Sequence, residues 1–114
     1  MSDGSAPAGF RLAISTAATP AQAERIASAL VEERLAACVN IVPGATSIYR
    51  WKGKLHRDRE VLLLLKTTAT TLDALRDRLL ELHPYDEPEF LAFDVASGAP
   101  DYLRWLTDSV QKPD

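Results

Sequence analysis

The side chains best suited to bind a metal ion are two histidines and a single cysteine, His56, His83 and Cys38. A structural zinc site takes four such ligands and a catalytic site three. No Cys-x-x-Cys pair occurs, so one chain does not supply a complete set from these residue types alone. Carboxylates that lie near His83 in the sequence can join it, also across a subunit boundary: Asp86, Glu87 and Glu89. His83 is therefore the candidate metal ligand.

His83 also has a purely structural interpretation. It ends a predicted helix before Pro84, where an imidazolium interacts favourably with the exposed carbonyls of the last turn. His56 lies in a charged turn, where a solvated side chain is expected. Both interpretations of His83 stay open at the level of sequence.

Catalytic chemistry has little support in the sequence. Cys38 lies on an apolar strand, without the cationic neighbour or helix N-terminus that activates a thiol. Ser15 lacks a Gly-x-Ser-x-Gly elbow, and neither a Walker motif nor Gly-x-Gly-x-x-Gly occurs. An acylphosphatase-like hydrolase would need a cation in the loop after the first strand, which reads AATP at 17–20. We expect a protein that is not an enzyme.

A ligand cleft is the other candidate site. Its expected lining combines aromatic and charged side chains: Trp51, Lys66, Tyr85 and Glu89. Aromatic residues of this kind also pack at core edges or interfaces, and Lys66 can simply extend from its strand into water.

Composition narrows the classes of partner. The 114 residues carry a net charge of −3, and no basic stripe indicates nucleic-acid binding. The sequence contains no run of eighteen apolar residues, which is about the length that a membrane-spanning helix needs. Residues 1–9 are read as a disordered tail without the features of a signal peptide, and residues 10–114 as one domain. A lone cysteine fits a reducing cytoplasm.

The periodicity of apolar residues predicts the order β-α-β-β-α-β and one further helix. Strands are expected at 11–17, 38–51, 60–66 and 89–96, with the last helix at 101–110. A Thr19-Pro20-Ala21-Gln22 capping box starts the first helix, and Thr70 or Thr71 caps the second. Pro43 predicts that the second strand lies at an edge or bulges. Right-handed crossovers then place both main helices on one face of an antiparallel sheet, an α+β fold.

The third strand carries an apolar run: Val61, Leu62, Leu63, Leu64 and Leu65. Side chains alternate between the two faces of a strand, so one set must point away from the helices. A contiguous apolar patch of that kind marks an interface. The sequence therefore predicts self-association.

Several segments together resemble the CutA divalent-cation-tolerance family: ERLAACVNI (33–41), PGATSIYRWKGK (43–54), LKTT (65–68), HPYDEPE (83–89) and DYLRWL (101–106). The resemblance runs in order from about Leu12 to Val110. It implies a ferredoxin-like βαββαβ sandwich with an extra C-terminal helix. It also implies a tight homotrimer of the bacterial cytoplasm, linked to tolerance of copper and other divalent cations.

Copper ligands described for some members of that family fall here on Ser15, Leu82 and His83, of which only His83 is a donor that copper favours. The leading hypothesis is thus a non-enzymatic homotrimer in metal homeostasis, with copper or another divalent cation as a weak ligand. The alternative is a trimeric regulatory scaffold that binds a small anion or a partner protein in clefts between subunits.

Overall fold

The computed structural model describes residues 9–110. Its elements are β1 (Phe10–Ala17), α1 (Pro20–Glu32), β2 (Cys38–Trp51), β3 (Lys54–Thr68), α2 (Leu72–Leu82), β4 (Leu91–Asp94) and α3 (Pro100–Ser109). The predicted order and fold class are confirmed. The tail predicted for residues 1–9 lies outside the described residues, except for Gly9. Among the described residues no helix combines the length and hydropathy needed to span a membrane.

The four strands form one antiparallel sheet in the order β2-β3-β1-β4. This is the arrangement of a ferredoxin-like βαββαβ sandwich, in which the two crossover helices lie on one face of the sheet. β2 lies at an edge, and its register with β3 shifts between Val42 and Ala45, around Pro43 and Gly44. Both features predicted from Pro43 are therefore present.

Helix α1 begins where the sequence predicted. The Thr19 hydroxyl accepts a hydrogen bond from the Gln22 backbone N–H, and Gln22 Oε1 accepts one from the Ala18 N–H. Thr19 and Gln22 therefore satisfy donors at the helix start, as a capping box does. α1 buries Ile26 and Leu30 against the sheet in the main core cluster.

Strand β3 is buried on one face only. Val61, Leu63 and Leu65 are almost fully buried in the core beneath α1 and α2. Leu62 and Leu64 alternate with them, point to the opposite face and remain half-buried. The apolar run thus faces both ways, as its sequence predicted.

Strands β3 and β4 differ most from their predicted limits. β3 begins at Lys54 instead of Glu60, because the charged residues before Glu60 continue the ladder with β2. β4 spans only Leu91–Asp94 instead of 89–96, because it pairs with β1 over that length alone and Phe90 packs against the core.

The hairpin of β2 and β3 closes with a two-residue turn. Lys52 and Gly53 both adopt positive φ, 52° and 79°, between the paired residues Trp51 and Lys54. Positive φ at both positions is the geometry that matches the twist of a hairpin. The predicted Lys52-Gly53-Lys54 turn is confirmed, and the long hairpin fits a molecule that extends over 51 × 25 × 24 Å.

Candidate functional site

The face of the sheet away from the helices, called here the open face, is apolar. In the register of the ladders, Leu62 and Leu64 lie beside Thr16 and Ile14 of β1, and Leu91 and Phe93 of β4 lie beyond. Leu91 is 56% exposed and Phe93 48%. Helix α3 packs at one end of this face, where Phe10 contacts the cluster of Leu106 and Val110, and leaves Leu91 and Phe93 exposed.

Towards the hairpin the open face becomes polar and forms a groove of about 780 Å³. The groove lies between the β2–β3 hairpin and the loop that follows α2. Its lining residues define what we call the acidic groove: Thr16, Ser47, Ile48, Tyr49, Trp51, Asp58, Glu60, Pro84, Tyr85, Asp86, Glu87 and Glu89. This lining, drawn from the described residues, contains five carboxylates and neither lysine nor arginine.

Two tyrosine hydroxyls hold carboxylates of β3 in place. Tyr85 donates a hydrogen bond of 2.8 Å to Glu60, and Tyr49 donates one to Asp58. Burial, and then the hydrogen bond to Glu60, raise the pKa of Tyr85 far above its usual value. The hydrogen bond to Asp58 raises the pKa of Tyr49. Both phenols therefore stay neutral donors, because an adjacent carboxylate disfavours the phenolate.

His83 lies buried behind the groove with both ring nitrogens engaged. Nε2 lies 2.7 Å from the Thr16 carbonyl oxygen, and Nδ1 accepts the Tyr85 backbone N–H at 3.2 Å. A carbonyl only accepts and a backbone N–H only donates, so these contacts assign the neutral imidazole with its proton on Nε2. His83 is the C-cap residue of α2, and its backbone N–H donates to the Leu79 carbonyl. Its ring, however, contacts the Thr16 carbonyl and the Tyr85 N–H instead of the last-turn carbonyls, so the expected interaction of an imidazolium with those carbonyls is not formed. A metal ion at Nδ1 would have to displace the Tyr85 N–H.

The other positions that the family resemblance assigned to copper, Ser15 and Leu82, carry side chains that are poor copper donors. Ser15 is fully buried on the helix-facing side of β1, whereas the neighbouring Thr16 carbonyl contacts the His83 ring. Leu82 is half-buried against the main core. Among the described residues, no group of three or more His, Cys, Asp or Glu side chains is arranged to hold a metal ion.

The predicted cleft comes together only in part. Trp51, Tyr85 and Glu89 all line the acidic groove. Lys66 does not: its ammonium contacts Asn40 Oδ1 and lies 3.8 Å from Cys38 Sγ. It shares the strand face of Glu60 but lies six residues further along β3, about 20 Å away at ~3.3 Å per residue. Lys66 therefore lies outside the groove of one chain, and its place in a cleft between subunits stays a prediction.

Sequence reasoning missed three lining residues, Tyr49, Asp58 and Glu60. The sequence places Asp58 and Glu60 among the cations of a solvated hairpin tip, and Tyr49 among aromatic residues that pack at core edges or interfaces. Strand alternation was the available signal: Ser47 pairs with Asp58, and Tyr49 with His56, so these side chains share one face. The cations Arg50 and Arg57 fall on the other face.

Comparison with known proteins agrees with this architecture. The profile of the family described as CutA1 divalent ion tolerance protein matches residues 11–109. The divalent-cation tolerance protein CutA of Thermus thermophilus is 56% identical over 87 residues, which cover 76% of this chain and 84% of that protein. A CutA homolog of Xenopus laevis is 48% identical over 88 residues, 77% of this chain but only 58% of that protein.

A solved structure has the same fold. The crystal structure of CutA from Xylella fastidiosa superimposes with a TM-score of 0.89 at 44% identity, over 91% of this chain and all of that one. Family profile, sequence relatives and fold agree, and the chain belongs to the CutA1 divalent ion tolerance family.

Proposed function

We propose that this protein is a non-enzymatic cytoplasmic homotrimer that contributes to tolerance of divalent cations and binds metal ions weakly. Membership of a family named for divalent ion tolerance supports the link to cations. The names of the relatives described above give either this tolerance or the family name alone, and neither names a reaction. The observation that carries the proposal is the apolar open face, on which Leu91 and Phe93 are exposed.

The open face supports association between copies. Side chains of three neighbouring strands contribute to it, including Ile14, Leu64 and Phe93. Burying about 300 Å² of such surface contributes roughly 7 kcal/mol at ~25 cal/mol per Å², before the costs of association. This contribution favours an assembly in which the face is buried.

The two sheet edges favour a ring. β2 and β4 form the two edges of the sheet, so a contact between β2 of one copy and β4 of the next joins unlike surfaces. Contacts of this head-to-tail kind close into rings when the rotation between copies permits. A ring of three places the open faces around a common axis, where they shelter one another from water.

Sedimentation of a matched pair of variants tests the assembly. Phe93→Glu puts a charge on the open face, whereas Leu80→Glu puts one on the outer side of α2 at a similar exposure, 43% against 48%. We expect a trimer at micromolar concentration for the native chain and Leu80→Glu, and monomer for Phe93→Glu. A native monomer, or a trimer in all three, would contradict the proposed interface.

Metal binding by one chain is expected to be weak, because His83 is already hydrogen-bonded at both ring nitrogens. The histidines offer a matched comparison, since His56 and His83 are the two in the sequence. Titration calorimetry with Cu(II) should give a lower affinity for His83→Gln than for His56→Gln. Equal affinities would leave His83 with a structural role only.

Tolerance and location are tested in cells. A bacterial host that lacks its own family member should grow better in elevated Cu(II) when it expresses this chain than when it carries an empty vector. Phe93→Glu should lose that benefit and Leu80→Glu should keep it. Fractionation of the same cells should recover the protein with cytoplasmic markers, and recovery elsewhere would refute that part of the proposal.

A further inference from the structure

The distal part of the β2–β3 hairpin, residues 45–60, projects from the sheet as a two-stranded ribbon, called here the distal ribbon. β1 pairs with β3 only from Val61 onwards, whereas β2 stays paired with β3 as far as Trp51 and Lys54. Lys54 lies seven residues before Val61, so the distal ribbon extends about 23 Å beyond the last pair of β1 at ~3.3 Å per residue. Its tip therefore stands clear of the packed core and can contact a large surface.

The distal ribbon is strongly basic, although the protein as a whole is acidic. Residues 50–59 contain five cations and one carboxylate, whereas the whole chain has a net charge of −3. All five cations are exposed: Arg50, Lys52, Lys54, Arg57 and Arg59. The ion pairs formed within residues 9–110 use other cations, namely Arg11, Arg76, Arg78 and Arg104. The charges of the distal ribbon are therefore available to a partner of opposite charge.

Charges of opposite sign lie on opposite faces of the distal ribbon. Arg57 and Arg59 alternate with Asp58 along β3, so these arginines point away from the side that Asp58 occupies. Asp58 accepts a hydrogen bond from Tyr49 on the side of the open face. Cross-strand pairing adds residues of β2 to the arginine side, which we call the basic face: Ile48, Arg50, Leu55, Arg57 and Arg59. The basic face is thus turned away from the open face that the proposed assembly buries.

Two aliphatic side chains stand among these arginines. Leu55 is 73% exposed, and Ile48, at the border of the acidic groove, is 57% exposed. The phosphates of a nucleic acid pair with cations but gain nothing from aliphatic groups. An anionic bilayer pairs its headgroups with cations and also takes up aliphatic side chains at the boundary of the acyl chains. The combination on the basic face therefore favours a lipid surface over a polynucleotide.

We propose that the basic face and the tip of the distal ribbon dock the protein on anionic lipid bilayers, with the cations at the phosphate headgroups and Leu55 at the acyl boundary. Each cation near such a surface strengthens binding about fivefold, so five cations give a reversible association that depends on salt. The residues involved belong to one chain, so docking does not require the trimer. The proposed ring of three would hold its three tips in one plane, where they can contact one bilayer together.

Co-sedimentation with lipid vesicles measures this docking. Vesicles of phosphatidylglycerol and phosphatidylcholine in equal amounts present the anionic surface, and vesicles of phosphatidylcholine alone are the neutral control. At low ionic strength we expect the native chain to sediment with the anionic vesicles and to remain in solution with the neutral ones. Added salt should release the bound protein, because it screens the charges.

Matched variants separate the basic face from the charge of the chain as a whole. Arg50→Gln, Arg57→Gln removes two charges from the basic face, and the control Arg25→Gln, Arg104→Gln removes two exposed charges from α1 and α3. The partition coefficient should fall at least about thirtyfold for the first pair and stay within about twofold of native for the control.

Truncation of a leucine tests the aliphatic contact. Leu55→Ala removes three side-chain carbons and should lower the partition coefficient about fourfold for each of them that reaches the acyl chains. Leu80→Ala truncates an exposed leucine of α2 and should bind like the native chain.

Lipid docking and the trimer are tested independently. Phe93→Glu, the variant expected to be monomeric, should bind the anionic vesicles more weakly than the native chain but keep its dependence on Arg50 and Arg57. A native monomer that binds these vesicles would contradict the trimer alone, and a native trimer that does not bind them would contradict lipid docking alone.

Three results would overturn the proposal. The first is equal sedimentation with anionic and neutral vesicles, or none with either. The second is equal partition of the basic-face and control variants, because cations anywhere on the chain would then be responsible. The third is native partition of Leu55→Ala together with tighter binding of a poly-uridine oligonucleotide than of the anionic vesicles, because the distal ribbon would then be a nucleic-acid surface.

Discussion

Two buried hydroxyls in neighbouring strands should respond to removal in opposite directions. Ser15 of β1 and Thr67 of β3 are both fully buried. Thr67 Oγ1 donates to the Leu35 carbonyl at 2.8 Å. Ser15 Oγ has no hydrogen-bond partner among the described residues. We predict that Ser15→Ala stabilises the protein and that Thr67→Val destabilises it.

The change in the free energy of unfolding depends on the cavity or the unpaired polar group that each substitution leaves. A buried hydroxyl without a partner costs about 1–3 kcal/mol. Removing the oxygen of Ser15 leaves a void of about 15 Å³, which costs roughly 0.4 kcal/mol at ~24 cal/mol per Å³. Ser15→Ala should therefore gain about 1 kcal/mol. Thr67→Val keeps the shape of the side chain but leaves the Leu35 carbonyl without its donor, and should lose about 1–2 kcal/mol.

Equilibrium unfolding in guanidinium chloride measures both changes. Each variant must be compared at one protein concentration, because association stabilises the folded state by mass action. A gain of about 1 kcal/mol should also raise Tm by roughly 4–8 °C for a domain of about 100 residues. Destabilisation by Ser15→Ala similar to that by Thr67→Val would refute the reasoning, since it would reveal a partner for the Ser15 hydroxyl.

The pKa of Tyr85 is raised in the folded protein. The stability that the neutral phenol contributes should therefore be complete below the ordinary tyrosine pKa of about 10, and it should be lost as the pH rises towards the pKa of the folded state. Tyr85→Phe should flatten that alkaline loss in unfolding curves measured from neutral to high pH, and an unchanged pH profile would contradict the assignment. Thr19→Ala should destabilise the protein by about 1 kcal/mol through loss of the N-cap of α1, measured by chemical unfolding. Thr19→Ser should retain most of that stability, and equal losses in the two would exclude a capping role.

The sequence predicted the elements whose causes are local. The capping box at Thr19 and the 3.6-residue period of α1 act within a few residues, and the run around Leu63 identifies a strand buried on one side and apolar on the other. The limits of β4 depend instead on how far β1 accompanies it, and the start of β3 on pairing with β2. The length over which a neighbouring strand pairs cannot be read from the sequence of the strand alone.

The candidate site was less predictable because it is assembled from distant parts of the chain. Tyr85 contacts Glu60, and the His83 ring contacts the Thr16 carbonyl, across long stretches of sequence. Trp51, Tyr85 and Glu89 were recognised by residue type. Lys66 shares the strand face of Glu60 but lies about 20 Å away along β3 at ~3.3 Å per residue, so only a neighbouring copy could bring it into the cleft. The tautomer of His83 depends on backbone partners that only the folded chain supplies.

The position of β1 has a consequence for how the chain folds. β1 leaves the ribosome before the other three strands of this sheet, yet it lies in the interior of the sheet, between β3 and β4. β2 and β3 can form their hairpin at once from adjacent segments, but β1 must wait for β3, and the last ladder closes only when residues 91–94 have emerged. Non-local pairing of this kind slows folding and prolongs the exposure of unpaired strands. We therefore expect nascent chains that end before β4 to be the species most prone to aggregate.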